Sequence, residues 1–136
     1  MTMTAAETLT VVVEREVPFP PEKIWRALTQ PHLLEAWLMK NDFQPVLGHD
    51  FKFRGDWGSV DCQVMTVEPH TTLAYSWGAM GLGSVVTWTL TPTSLGTHLR
   101  MEQAGFRPDQ QQAYQGAKYG WPRFFTALEG VLEGLE

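Results

Sequence analysis

Apolar side chains recur at intervals of three and four over the last quarter of the chain, residues 109–136. They are Tyr114, Ala117, Trp121, Phe124, Phe125, Leu128, Val131, Leu132 and Leu135. This spacing is typical of one apolar stripe on an α-helix, which would reach about 40 Å and must lie across an equally long apolar surface. Asp109 is the expected N-cap, and Pro122 is expected to kink or divide the helix because proline lacks the backbone donor.

The preceding residues alternate between apolar and polar positions, as half-buried strands do. A first strand is predicted for Leu9 to Val17, and two short helices are predicted to start near Pro21 and Pro31. Further strands are predicted within residues 51–57, 60–68, 73–77, 85–91 and 98–105. Short connections favour antiparallel pairing, so we expect an α+β fold in which a curved antiparallel sheet holds the long C-terminal helix across its concave face.

Composition narrows the class of protein. The 136 residues predict one domain, 1–136, with residues 1–8 as a flexible N-terminal tail. The net charge of -5 comes from scattered side chains, which excludes the basic patch expected of a protein that binds nucleic acid or an anionic membrane. No apolar run approaches the roughly 20 residues that span a bilayer, and a single cysteine fits a reducing compartment, so we expect a cytoplasmic protein.

Side chains capable of chemistry are few and scattered. The four histidines lie on different predicted elements, so neither a metal site nor a cofactor is expected. The glycine-rich segment 78–83 lies between two strands and is predicted to be a turn rather than a nucleotide-binding loop. Cys62 is assigned, with Val60 and Val64, to the inward face of its strand as a small core residue. Strand alternation places Asp61 and Glu102 outward, away from any cavity in which they could act as a general acid or base.

Several segments together resemble one known family. They are residues 17–29, 45–51, 67–69, 73–77, 87–92, 96–97 and 120–121, with Trp37. In order and spacing they are similar to AHSA-type domains, named for the activator of heat-shock protein 90 ATPase homologue, in the START/Bet v 1-like (SRPBCC) superfamily. The resemblance implies a helix-grip fold around an inner cavity. The chain departs from the family at His49, where a second glycine usually follows Gly48, and at Pro122, within a helix that family members usually continue.

The candidate site comes from an abundance of aromatic residues, six Trp and seven Phe. Eight side chains are predicted to face the space between sheet and helix: Phe51, Phe53, Trp77, Trp88, Met101, Trp121, Phe124 and Leu128. The residues alone allow either a solid core or a cavity whose walls are held apart by rigid rings. The family resemblance favours the cavity.

We therefore expect the protein to bind a hydrophobic or amphipathic small molecule, such as a lipid, without catalysis, as a monomer or homodimer. Two alternatives stay open. The family's name implies a module that binds a chaperone or another protein. Related helix-grip folds host catalysis, which leaves a cyclase, hydrolase or dehalogenase-like enzyme that uses a cavity carboxylate.

Overall fold

Three helices and seven strands make up the computed structural model, which describes residues 8–56, 58–79 and 81–135. The predicted tail up to residue 7 and the predicted strand residue Trp57 lie outside the described residues. The elements, in order, are β1 (Leu9–Val17), α1 (Pro21–Thr29), α2 (Pro31–Trp37), β2 (Lys40–Asn41), β3 (Asp50–Gly55), β4 (Gly58–Glu68), β5 (Thr72–Ala79), β6 (Leu82–Pro92), β7 (Thr97–Phe106) and α3 (Gln111–Glu133).

All seven strands form one antiparallel sheet in the order β1-β7-β6-β5-β4-β3-β2. Strands β3 to β7 follow one another as a meander, while β1 pairs with the last strand, β7. Helices α1 and α2 therefore carry the chain from one edge of the sheet to the other. The predicted α+β fold, a curved antiparallel sheet with two short helices and a long C-terminal helix, is confirmed.

Strand alternation sends one face of the sheet into the core. Along β4 the inward residues Val60, Cys62 and Val64 are at most 5% exposed, as predicted, and Asp61 between them is exposed. Strand β6 repeats the pattern with buried Val86, Trp88 and Leu90. The register places Trp88 between Leu73 and Met101, both fully buried, so the three central strands contribute to one continuous core.

The two short helices begin with prolines at the first turn, where a missing backbone donor costs nothing. Trp37, the last residue of α2, donates its indole N–H to the carbonyl of Ala27 at 2.9 Å. Its ring meets Trp88 edge-on, with centroids 5.7 Å apart. This hydrogen bond and ring contact fix α1, α2 and the sheet relative to one another.

Helix α3 differs from the sequence prediction at two points. It begins at Gln111 with Gln110 as N-cap, so the prediction of Asp109 as N-cap was wrong; the Asp109 carboxylate instead accepts a hydrogen bond from Arg107 at 3.2 Å. The helix is continuous through Pro122, so the predicted division does not occur, while the predicted kink stays a prediction. The Pro122 carbonyl accepts hydrogen bonds from the Arg15 guanidinium and the Thr126 hydroxyl, each at 3.1 Å. These contacts hold the turn that follows the proline.

Within the described residues, no helix is both long and apolar enough to cross a membrane.

Candidate functional site

A cavity of about 680 Å³ lies between the N-terminal half of α3 and the end of the sheet at which β5, β6 and β7 meet. It is lined by Met39, Trp77, Ala79, Leu82, Gln103, Phe106, Asp109, Gln110, Gln112, Ala113, Gly116, Ala117, Gly120, Trp121 and Phe124. Its volume falls within the roughly 300–1,000 Å³ typical of sites for small molecules.

Small residues on α3 leave this space open. Ala113, Gly116, Ala117 and Gly120 follow one another at helical spacing along the cavity wall. A Cβ atom built on Gly116 or Gly120 would meet no heavy atom within 4 Å beyond the helix's own neighbouring backbone. Because glycine in a helix interior costs about 1 kcal/mol relative to alanine, these two residues reduce helix propensity at positions where a side chain would enter the cavity.

Aromatic rings from both α3 and the sheet form another part of the cavity wall. Trp121 contacts Trp77 with centroids 5.4 Å apart and Phe124 with centroids 5.4 Å apart. Trp121 is 2% exposed, whereas Trp77 and Phe124 are only half-buried. Phe106 is fully buried and packs edge-on against Tyr114 at 5.6 Å. Flat surfaces of this kind suit a planar apolar guest.

A buried chain of three consecutive hydrogen bonds lies among the aromatic residues of the cavity wall. The Trp121 indole N–H donates to Gln103 Oε1 at 2.7 Å, and Gln103 Nε2 donates to the Ser84 hydroxyl at 3.0 Å. The Ser84 hydroxyl in turn donates to the Trp77 carbonyl at 2.9 Å. Gln103 is 2% exposed and Ser84 is 4% exposed. The chain fixes the position of the Gln103 amide in the cavity wall.

The eight residues predicted for the site separate into two groups. Trp77, Trp121 and Phe124 line the cavity. The remaining five are at most 3% exposed, belong to the hydrophobic core and do not line the cavity: Phe51, Phe53, Trp88, Met101 and Leu128. Trp88 is one ring removed from the cavity, since its centroid lies 5.8 Å from that of Trp121.

Sequence reasoning missed the polar and small residues of the site. Gln103 follows Leu99 and Met101 on the inward parity of β7, so a polar residue at a core position was the available signal. Gly116 and Gly120, four residues apart on a predicted helix, were a second signal, because such spacing places both on one face.

Titratable groups are scarce in the cavity. Among the described lining residues only Asp109 is titratable, and it is exposed. Asp61 is exposed and pairs with Lys52, while Glu102 pairs with Arg100 at 3.0 Å. Neither carboxylate lines the cavity, which agrees with the predicted outward orientation.

Burial also affects two ionisable groups away from the cavity, Cys62 and Tyr75. Burial raises the pKa of the Cys62 thiol to about 12, so the group is a protonated thiol at neutral pH. Burial likewise raises the pKa of Tyr75, whose hydroxyl accepts a hydrogen bond from the Trp88 indole at 3.0 Å. In the part of the chain that the structure describes, no cluster of three or more His, Cys, Asp or Glu residues could hold a metal ion.

A curved antiparallel sheet closed by a long C-terminal helix defines the helix-grip, or Bet v 1-like, class of protein. Within that class, residues 18–133 match the family described as Activator of Hsp90 ATPase homolog 1-like protein. The chain belongs to this family.

Solved structures agree with this assignment. Protein MLL2253 from Mesorhizobium loti is 60% identical, with a TM-score of 0.92 over 94% of this chain and 99% of that one. DynU16, a protein in the dynemicin biosynthetic locus, is 28% identical with a TM-score of 0.83; the match covers 91% of this chain but 47% of DynU16. Protein BH1534 from Bacillus halodurans shares the fold at 24% identity, with a TM-score of 0.82 over 92% of this chain and 98% of that one. No curated protein matched the chain.

Proposed function

We propose that the protein binds a hydrophobic or amphipathic small molecule in the cavity between its sheet and the N-terminal half of α3. The observation that carries the proposal is the cavity of about 680 Å³, which α3 borders with small residues and with Trp121 and Phe124, and which the sheet borders with Trp77 and Phe106. Of the eight predicted site residues, Trp77, Trp121 and Phe124 contact the guest in this proposal. The five buried residues support the wall behind them.

The size of the site limits the affinity. A guest that buries about 250 Å² of apolar surface gains roughly 6 kcal/mol at 25 cal/mol/Å², before a comparable cost of association. Tighter than micromolar binding therefore requires specific polar contacts in addition to burial.

We propose that the protein binds its guest without catalysis. Binding and release need only an apolar wall and a polar group to orient the guest, and the lining includes Trp121 and the polar side chain of Gln103. An acid–base mechanism needs a titratable group beside the guest, and Asp109 is exposed and already paired with Arg107.

A cavity-filling variant tests the proposal. Gly120→Leu places an aliphatic side chain in the cavity, whereas Gly130→Leu makes the same change on α3 at an exposed residue that does not line it. The probe is N-phenyl-1-naphthylamine, an uncharged aromatic amine whose fluorescence reports transfer from water. If the introduced side chain removes roughly 60 Å² of contact with the probe, affinity falls about tenfold in Gly120→Leu. Gly130→Leu is expected to bind the probe as the wild type does.

Native mass spectrometry of the freshly purified wild type, repeated after denaturation, complements this test. A discrete extra mass that is lost on denaturation supports a bound guest and reports the oligomeric state. Equal probe affinity in the two leucine variants, with no extra mass, would contradict the proposal. It would then favour the protein-partner alternative that the family's description suggests.

A further inference from the structure

The direction of every hydrogen bond in the buried chain is determined by chemistry. An indole N–H can only donate, so the Gln103 atom that meets Trp121 must be the carbonyl oxygen. The amide nitrogen of Gln103 therefore faces Ser84, which accepts this bond and uses its own proton toward the Trp77 carbonyl. A flip of the Gln103 amide would set its N–H donors against the Trp121 N–H, and Ser84 could then donate to Gln103 only by giving up its bond to the Trp77 carbonyl.

This arrangement leaves Gln103 with unused hydrogen-bonding capacity. A primary amide has two N–H donors and two acceptor lone pairs, and the bonds to Ser84 and Trp121 use one of each. No further partner for this side-chain amide occurs among the described residues. One N–H and one lone pair thus remain on a residue that is 2% exposed and lines the cavity.

The charge around the cavity restricts the guest further. None of the described lining residues is basic, and the one charged lining residue, Asp109, is an acid. A carboxylate or phosphate that entered the cavity would lose hydration without gaining a cationic partner. The lining therefore favours an uncharged guest.

We propose that Gln103 is the polar anchor of the site and selects a neutral aromatic guest with a carbonyl-type hydrogen-bond acceptor, which takes the free Nε2–H, over anionic amphiphiles such as fatty acids. This inference rests on the proposed function, since it identifies the ligand class of the same cavity. A guest without an acceptor displaces water from the Gln103 N–H and leaves that donor unsatisfied, which lowers its affinity.

Three compounds with one ring system test this selectivity: 9-fluorenone, fluorene and 9-fluorenone-4-carboxylate. Equilibrium dialysis gives the affinity of each for the wild type, Gln103→Met and Gln63→Met. Gln63 is an exposed glutamine on β4 and serves as the matched control. The fluorenone-to-fluorene affinity ratio is expected to fall about tenfold in Gln103→Met and to stay unchanged in Gln63→Met. In the wild type, the carboxylate is expected to bind at least about tenfold more weakly than fluorenone.

Because Gln103→Met leaves the Trp121 N–H without its acceptor, a measurement on the folded wild type accompanies the variant. The ¹⁵N–¹H resonances of the Gln103 side-chain amide are expected to shift with fluorenone and not with fluorene. The inference would be overturned if the fluorenone-to-fluorene affinity ratio were the same in the wild type and in Gln103→Met. It would also be overturned if the Gln103 side-chain amide showed no ketone-specific shift. Either result would leave the proposed function intact. If neither compound bound, and the Gly120→Leu test also failed, the proposed function itself would be contradicted.

Discussion

The two halves of helix α3 differ in how deeply their side chains are buried. From 111 to 120 no residue is buried, and four small residues border the cavity. From 121 to 133 the helix inserts four buried side chains into the core, namely Trp121, Phe125, Leu128 and Leu132, none more than 2% exposed. The first half leaves space and the second half fills it.

Neighbouring phenylalanines show the same contrast at single-residue scale. Phe125 is fully buried and stacks on Trp88, with centroids 5.5 Å apart and planes at 27°. Phe124 is half-buried, lines the cavity and meets Trp121 edge-on. Residues 100° apart on one helix therefore belong to the core and to the cavity, so apolar character alone does not predict which residues bind a guest.

The largest loss of stability is expected from Phe125→Ala. Loss of a fully buried ring costs about 3–5 kcal/mol in the free energy of unfolding, because both transfer energy and packing are lost. Phe124→Ala, in contrast, is expected to cost about 1–2 kcal/mol, since part of that ring is already exposed. Urea denaturation of both variants measures the difference.

The two variants should rank in the opposite order when the affinity for a guest, and not the free energy of unfolding, is measured. Phe124→Ala is expected to weaken the binding of N-phenyl-1-naphthylamine, because its ring lines the cavity. Equal stability losses in the two variants would contradict the assignment of Phe125 to the core and of Phe124 to the cavity wall.

A smaller loss of stability is expected from Arg15→Met, which removes the contact between the Arg15 side chain on β1 and the second half of α3. Arg15 reaches the Pro122 carbonyl at 3.1 Å, the Thr126 hydroxyl at 3.3 Å and the Glu129 carboxylate at 2.8 Å. About a third of the Arg15 and Glu129 side chains is exposed, so the pair itself contributes little, and the total loss is expected to be about 1–2 kcal/mol.

Amide hydrogen exchange gives the more specific readout for this variant. Removal of the Arg15 contact should speed exchange in residues 122–133 and leave 111–120 unchanged, because only the second half of the helix loses a partner. Glu129→Gln retains an oxygen acceptor for Arg15 and serves as a milder comparison. Uniform acceleration along all of α3 would show that the halves are not independently held.

The smallest change in stability, a gain, is expected from Gly120→Ala and Gly130→Ala. A Cβ at either residue meets no heavy atom within 4 Å outside the helix's own neighbouring backbone, so both changes should raise the free energy of unfolding by up to about 1 kcal/mol through helix propensity. Thermal and urea unfolding check this. A loss of stability in Gly120→Ala alone would mean that the cavity closes onto this part of the helix.

Strand and helix positions were predictable because their signals are local. Leu9–Val17 matches the predicted first strand, and the alternation along β4 and β6 identified the buried residues. Prediction of local detail failed where other side-chain contacts compete, whether their partners are near or distant in sequence. Asp109 pairs with Arg107 rather than capping α3, and the turn after Pro122 is held by Arg15 from a strand more than a hundred residues earlier.

The sequence by itself determined the order of the elements apart from the two-residue strand β2, the inward faces of the predicted strands, and the family. Only the tertiary structure decided which inward residues border open space, since Trp88 and Trp121 obey the same pattern but only Trp121 lines the cavity. The physical reason is that periodicity specifies the face on which a side chain lies. Whether that face meets another side chain or a void depends on the distance between elements, which is determined by residues such as Gly116, Gly120 and Arg15 acting across the whole fold.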